Sequence, residues 1–154
     1  MTKILFVCYG NICRSPMAEF IMKDLAERNG LEKEFYIESA ATSTEELGNP
    51  VHRGTRVILD RLNIDYSKKR ARQIVKADYD NFDFIVGMDE MNRRDMTRFF
   101  GGDKDNKISL LLDFTDSPRD VADPWWTHNF EVTFDDITRG TAGLFAKIKN
   151  LKKL

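Results

Sequence analysis

Nine residues near the amino terminus, Cys8-Tyr9-Gly10-Asn11-Ile12-Cys13-Arg14-Ser15-Pro16, restrict what this chain can become more than any other stretch. They follow the apolar run Ile4-Leu5-Phe6-Val7 and lead into a helical pattern from Met17 to Asn29, so the order is strand, tight loop, helix. Such a loop leaves backbone N–H groups unpaired and points the positive end of the helix dipole into its own hollow. That suits a phosphate-sized dianion. Gly10 and Asn11 are the residues that most readily take the left-handed backbone a cradle of this kind requires.

Cys8 closes the strand at the floor of the cradle, and Arg14 follows with five residues between them. The planar fork of Arg14 can hold two phosphate oxygens above the sulfur. Unpaired amides, the dipole and Arg14 all favour the thiolate of Cys8, and Ser15 can donate a further hydrogen bond. The chemistry is in-line attack of sulfur on phosphorus, giving a cysteinyl-phosphate that water clears. Amides and Arg14 neutralise the equatorial oxygens, so no metal and no other cofactor is expected, and His52 and His128 lack ligand spacing. Taken alone, a cysteine ending a strand is usually a small buried hydrophobe, and an arginine in a first helical turn a surface charge. It is the conjunction of strand, Gly-Asn, Ser-Pro and amphipathic helix that carries the reading.

The signature Cys-x-Gly-Asn-Ile-Cys-Arg-Ser-Pro, with Asp123-Pro124 near the far end, resembles the low-molecular-weight protein tyrosine phosphatases. The resemblance covers essentially the whole chain through Ser39-Ala40, Ala71-Arg72-Gln73, Phe82-Asp83 and Met88-Asp89-Glu90 with Asn92. It implies an α/β fold with a four-stranded parallel sheet in the order 2-1-3-4, helices on both faces, and the phosphate-binding loop after the first strand. It also implies hydrolysis of phosphotyrosine in proteins, with Cys8 as nucleophile, Arg14 binding phosphate and Asp123 as general acid. By itself, Asp-Pro in a late loop is most often a turn. Tyr9, Gly10, Asn11, Ile12, Cys13 and Ser15 would line the phosphate, and Trp125 and Trp126 would wall a slot for the phenyl ring or pin their loop by packing. Tyr9 adds an aromatic wall or is packed. Asp89 and Asn92 read as a helix cap and loop support.

Several positions depart from the pattern. Many relatives carry a tyrosine pair where Trp125 and Trp126 stand, and tryptophan cannot be phosphorylated. Relatives acting on phosphoarginine typically have threonine at the position of Ile12. Glu45 replaces a bulky aromatic at the mouth, so Glu45 and Glu46 are expected to disfavour acidic peptides, and Lys69 falls where some relatives place a histidine in a network around Asn11, Ser15 and Ser39. Relatives with a second cysteine, here Cys13, form a reversible disulfide with the nucleophile; otherwise Cys13 is a small packing residue.

With 154 residues the chain suits one domain, residues 1–154. Its 24 basic and 25 acidic residues recruit neither nucleic acid nor an acidic membrane. Two cysteines, both in the loop, make no disulfide framework. The first apolar run is about five residues long, far short of the roughly 20 of a membrane span. A cytoplasmic monomer acting on phosphotyrosine-containing proteins is the expectation.

Along the chain, Ser15 can cap the first helix, whose stripe is Met17, Phe20, Ile21 and Leu25. A second strand is read over Phe35 to Ser39, a helix over Val51 to Leu62, a strand-like turn at Arg72-Gln73-Ile74 and a strand over Phe82 to Met88. Asp89 caps a helix from Glu90 to Phe100 that Gly101-Gly102 ends, and a fourth strand runs from Ile108 to Leu112. The last helix shows Phe130, Phe134, Ile137, Leu144, Ile148 and Leu151 as a core-facing stripe. Rival functions are a thioredoxin-coupled arsenate reductase, which needs cysteines beyond Cys13, a protein arginine phosphatase, and a silent phosphate-binding module, expected to have lost Cys8, Arg14 or Asp123.

Overall fold

The computed structural model describes residues 1–154. Strand β1 (Thr2–Cys8) is followed by α1 (Arg14–Arg28), a 3-10 turn at Glu32–Glu34, β2 (Phe35–Ala41), α2 (Arg53–Arg61) and α3 (Asp78–Asn81). Then come β3 (Phe84–Gly87), α4 (Glu90–Phe100), β4 (Ile108–Leu110), a second 3-10 turn (Leu111–Phe114), α5 (Pro124–Thr127) and α6 (Phe130–Lys152). The strands form one parallel sheet in the order β2-β1-β3-β4, as the resemblance implied.

Alternation along β1 divides the core between the two faces of the sheet. Ile4 and Phe6 pack with Met17, Met22, Ile58, Leu59, Ile137 and Leu144, so α1, α2 and α6 cover one face. Leu5 and Val7 pack with Ile74, Tyr79, Phe82, Met96 and Ile108, which puts α3 and α4 on the other. A central strand covered on both sides has no polar face, which is why Ile4 to Val7 read as one apolar run. All the strands run the same way, so their carboxyl ends share one edge. The turn from Cys8 to Arg14 lies there, where β1 is flanked by β2 and β3.

Several boundaries differ from the expectation. Helix α1 begins at Arg14, and Ser15 does not cap it: the cap position is Cys13, with no side-chain capping bond, because the Ser15 hydroxyl turns inward to the sulfur. Strand β4 stops at Leu110, whose N–H is taken by the Asp113 carboxylate at 2.9 Å, and the chain winds into the 3-10 turn. Strand β3 starts at Phe84 because the Phe82 N–H closes α3 on the Asp78 carbonyl. Helix α2 starts at Arg53, capped by His52 Nδ1 accepting from Gly54 N. Leu151, 60% exposed, lies outside the core stripe of α6. Gln73 makes a single parallel bridge to Ala41, and Asp89 with Asn92 forms a capping box on α4 that Gly101 ends at φ 74°. No helix is long and apolar enough to cross a membrane.

Helix α6 crosses the Leu111–Phe114 turn at two glycines. A methyl group at Gly140 would run into the Leu111 side chain, and one at Gly143 into the Phe114 carbonyl oxygen.

Candidate active site

The loop between β1 and α1 closes on the sulfur of Cys8. The N–H groups of Asn11 and Ser15 point at Sγ from 3.3 and 3.5 Å, and the Ser15 hydroxyl is 3.0 Å away. The left-handed residue that bends the loop is Asn11, at φ 59°. Gly10 has an ordinary φ, and a side chain there would press on Glu46.

Asn11 also decides which way the surrounding hydrogens point. Its Oδ1 accepts from the backbone N–H of Arg72 at 3.1 Å, so Nδ2 must face the hydroxyls of Ser15 and Ser39, at 2.8 and 2.9 Å. Ser39 then donates to Glu19 Oε1 at 2.6 Å, and the Ser15 proton is left for Cys8 Sγ. Two backbone N–H groups and one hydroxyl thus direct their hydrogens at the sulfur. Nothing in the sequence around Glu19 marks it as part of this site. It lies one turn after Ser15 on the inner face of α1, is buried, and also pairs with Lys23 Nζ at 2.6 Å. Lys69 joins from the far side: its Nζ donates to the Ser39 carbonyl at 2.8 Å and stands 3.7 Å from Glu19. Burial pulls the Lys69 pKa below its ordinary value, with Glu19 working against that. The network around Asn11, Ser15 and Ser39 is therefore complete with lysine in place of an imidazole.

Arg14 is buried beside the cradle and is already engaged. Its Nη1 donates to Asp89 Oδ2 at 2.9 Å and to the Val121 carbonyl at 3.1 Å, while Nη2 reaches Asp123 Oδ2 at 3.3 Å. Burial works against its charge, but Cys8, Asp123 and Asp89 outweigh it and raise the pKa. Asp89 thus has a role beyond the helix cap: it orients the guanidinium. Asp123 caps α5 by accepting from Trp125 N at 3.0 Å through Oδ1, which leaves Oδ2 facing Arg14. The three residues assigned catalytic roles from the sequence, Cys8, Arg14 and Asp123, meet at one edge of the sheet although more than a hundred residues separate the last two.

The walls are less uniform. Tyr9 is exposed, and its hydroxyl donates to Glu45 Oε1 at 2.8 Å, a bond that raises its pKa and brings Glu45 to the mouth. Trp125 meets the His52 ring edge-on at 6.4 Å, and His52 stacks on Phe130 at 5.2 Å. Burial of His52 lowers its pKa. The His52 N–H holds the Ile12 carbonyl at 2.8 Å, so this aromatic group links the phosphate loop to α5. Trp126 is 78% exposed, and packing does not pin it. Ile12 and Cys13 are buried together with Ala71. Both cysteines are free thiols, and burial, with the negative charge of Cys8 and Asp123, pushes Cys13 far above its ordinary pKa.

Along nearly its whole length the chain is similar to one family of known proteins. The family described as low molecular weight phosphotyrosine protein phosphatase matches residues 3–154. Low molecular weight protein-tyrosine-phosphatase YfkJ of Bacillus subtilis (strain 168) is 42% identical over 156 residues, covering 100% of both chains. Low molecular weight protein-tyrosine-phosphatase PtpA of Staphylococcus aureus (strain bovine RF122 / ET3-1) is 37% identical over 99% of each chain. The crystal structure of YfkJ from Bacillus subtilis superposes with a TM-score of 0.95 at 42% identity, over 99% of this chain and 97% of that one.

Proposed function

The chain belongs to the low molecular weight phosphotyrosine protein phosphatase family, and from that premise we propose how its residues divide the work of hydrolysing phosphotyrosine. Cys8 Sγ attacks phosphorus; the sulfur–phosphorus bond forms as the bond to the tyrosine oxygen breaks. Arg14 and the loop N–H groups hold the equatorial oxygens, so the charge is met by fixed donors rather than by a metal. Asp123 gives its proton to the departing phenolate, whose parent hydroxyl has a pKa near 10 and leaves slowly unprotonated. Water then attacks phosphorus, Asp123 takes back a proton, the sulfur–phosphorus bond breaks and phosphate leaves. Tyr9, Gly10, Asn11, Ile12, Cys13 and Ser15 surround the phosphoryl group, and Trp125 and Trp126 border the ring. The observation that carries this division is the convergence of two loop N–H groups and the Ser15 hydroxyl on Cys8 Sγ, beside an Arg14 already paired to Asp123.

A substrate panel tests it. In EDTA and reductant, a phosphotyrosine peptide is expected to turn over and phosphoserine and phosphoarginine peptides are not; preference for phosphoarginine would refute the specificity read from Ile12. Peptides with acidic flanks should be slower than those with basic flanks, because Glu45 and Glu46 stand at the mouth, and equal rates would remove that role.

Replacing Asp123 by Asn should lower kcat/KM for phosphotyrosine by roughly 10²- to 10⁴-fold and much less for aryl phosphates with acidic leaving groups. Equal losses across leaving groups would assign the acid elsewhere.

The same reading makes the protein a cytoplasmic monomer whose activity is redox-sensitive. Two cysteines in one loop and no others support a reversible Cys8–Cys13 disulfide that shields the nucleophile from over-oxidation. Peroxide-treated enzyme should then recover activity in dithiothreitol, and Cys13→Ser should recover much less; equal recovery would leave Cys13 a packing residue.

A further inference from the structure

The segment from Arg119 to Asp123 has no secondary structure of its own, yet the backbone N–H and carbonyl of both Val121 and Ala122 are held from outside it. Val121 N donates to the Met88 carbonyl at 2.8 Å, and the Val121 carbonyl accepts from Arg14 at 3.1 Å. The next residue is gripped on both sides by α6: Ala122 N donates to Asp136 Oδ2 at 3.1 Å, and the Ala122 carbonyl accepts from Thr133 Oγ1 at 2.8 Å. Ala122 immediately precedes Asp123.

Asp136 is only 1% exposed. A carboxylate in that position is costly unless its oxygens are satisfied. Here Arg119 clamps both oxygens, at 3.0 and 2.7 Å, and Arg139 adds a donor to Oδ1 at 2.8 Å. Burial alone would raise its pKa, but the bonds from Arg119 and Ala122 N, with the charge of both guanidiniums, pull it below the usual carboxylate range. Arg119 also donates to the Asp120 carbonyl at 2.9 Å, so its guanidinium closes the loop onto α6 a second time. A carboxylate needed only to pair two surface arginines has no reason to accept a loop N–H from one residue before the acid.

We infer that Asp136, seconded by Thr133, is a positioning residue for proton transfer by Asp123. By fixing the Ala122 peptide it sets where the Asp123 carboxyl stands relative to Arg14 and the sulfur, without touching substrate. A group acting this way affects the step that needs the acid and leaves the phosphate cradle alone. The inference rests on the reading of Asp123 as general acid.

The test uses the full chain as Asp136→Asn, Thr133→Val and Asp123→Asn, with aryl phosphates whose leaving phenols range from strongly acidic to tyrosine-like. Inhibition by inorganic phosphate reads the cradle separately. For Asp136→Asn, kcat/KM for the tyrosine-like leaving group should fall about tenfold more than for the most acidic one, a part of the roughly 10²- to 10⁴-fold a general acid contributes. Phosphate inhibition should stay unchanged. Thr133→Val should show the same skew to a smaller extent, and it carries the test if Asp136→Asn does not fold. Uniform losses, or none, in either folded variant while Asp123→Asn shows the skew would overturn the positioning role and leave the acid in place. No skew in Asp123→Asn itself would overturn both.

Discussion

Cys8→Ser is expected to abolish turnover of phosphotyrosine peptides, by at least roughly four orders of magnitude, while phosphate still binds. Serine preserves size and leaves the donors from Asn11 N and Ser15 N in place. What it removes is the sulfur nucleophile itself; a serine hydroxyl is intrinsically far less acidic than a thiol and makes a much weaker nucleophile in the same contacts. The cradle should therefore hold inorganic phosphate about as before. Trp125 and Trp126 are the only tryptophans and α5 begins at the Asp123 cap, so their fluorescence is a convenient probe of that binding. Residual turnover within a hundredfold of wild type, on the order of 3 kcal/mol of barrier, would be too fast for a protein lacking its nucleophile.

Arg14→Lys should be nearly as damaging, with kcat/KM reduced by roughly 10²- to 10³-fold for every aryl phosphate. Charge is conserved, so a simple electrostatic role would predict a mild effect. The guanidinium, however, does two things at once: Nη1 bridges Asp89 and the Val121 carbonyl while Nη2 reaches Asp123. A single ammonium cannot serve all three and present a bidentate face to phosphate. The loss should be independent of leaving-group acidity, which separates it from Asp123→Asn, and phosphate should inhibit the variant poorly. Activity within tenfold of wild type would show that the fork is dispensable.

The parts of this molecule legible in the sequence are those whose cause is local. An apolar run into Gly-Asn and Ser-Pro dictates strand, loop and helix, and the capping pair Asp89 and Asn92 marks the start of α4. Sheet order came from resemblance, since nothing in the spacing of β2 and β3 tells which flanks β1 on which side. The parts not legible there depend on partners far along the chain. Glu19 looks like any helical carboxylate until Ser39 and Lys69 are folded against it. Ser15 resembles an N-cap because the pattern Ser-Pro is common at helix starts; the sulfur of Cys8 outcompetes the helix for its hydroxyl. Asp136 stands next to Asp135 with nothing in the sequence to mark it as buried, and only Arg119, Arg139 and Ala122 make it an interior group. Leu110 ends β4 early for a similar reason, the nearby Asp113 taking its N–H.

Gly140 and Gly143 let α6 lie against the Leu111–Phe114 turn more closely than any side chain would permit. Gly140 is seven residues, about two turns, beyond Thr133 on the same helix. Along the same helix Thr133 and Asp136, both buried, hold the Ala122 peptide. One helix therefore sets both its own distance from the Leu111–Phe114 turn and the place of the Ala122 peptide, and enlarging either glycine is expected to shift the two together.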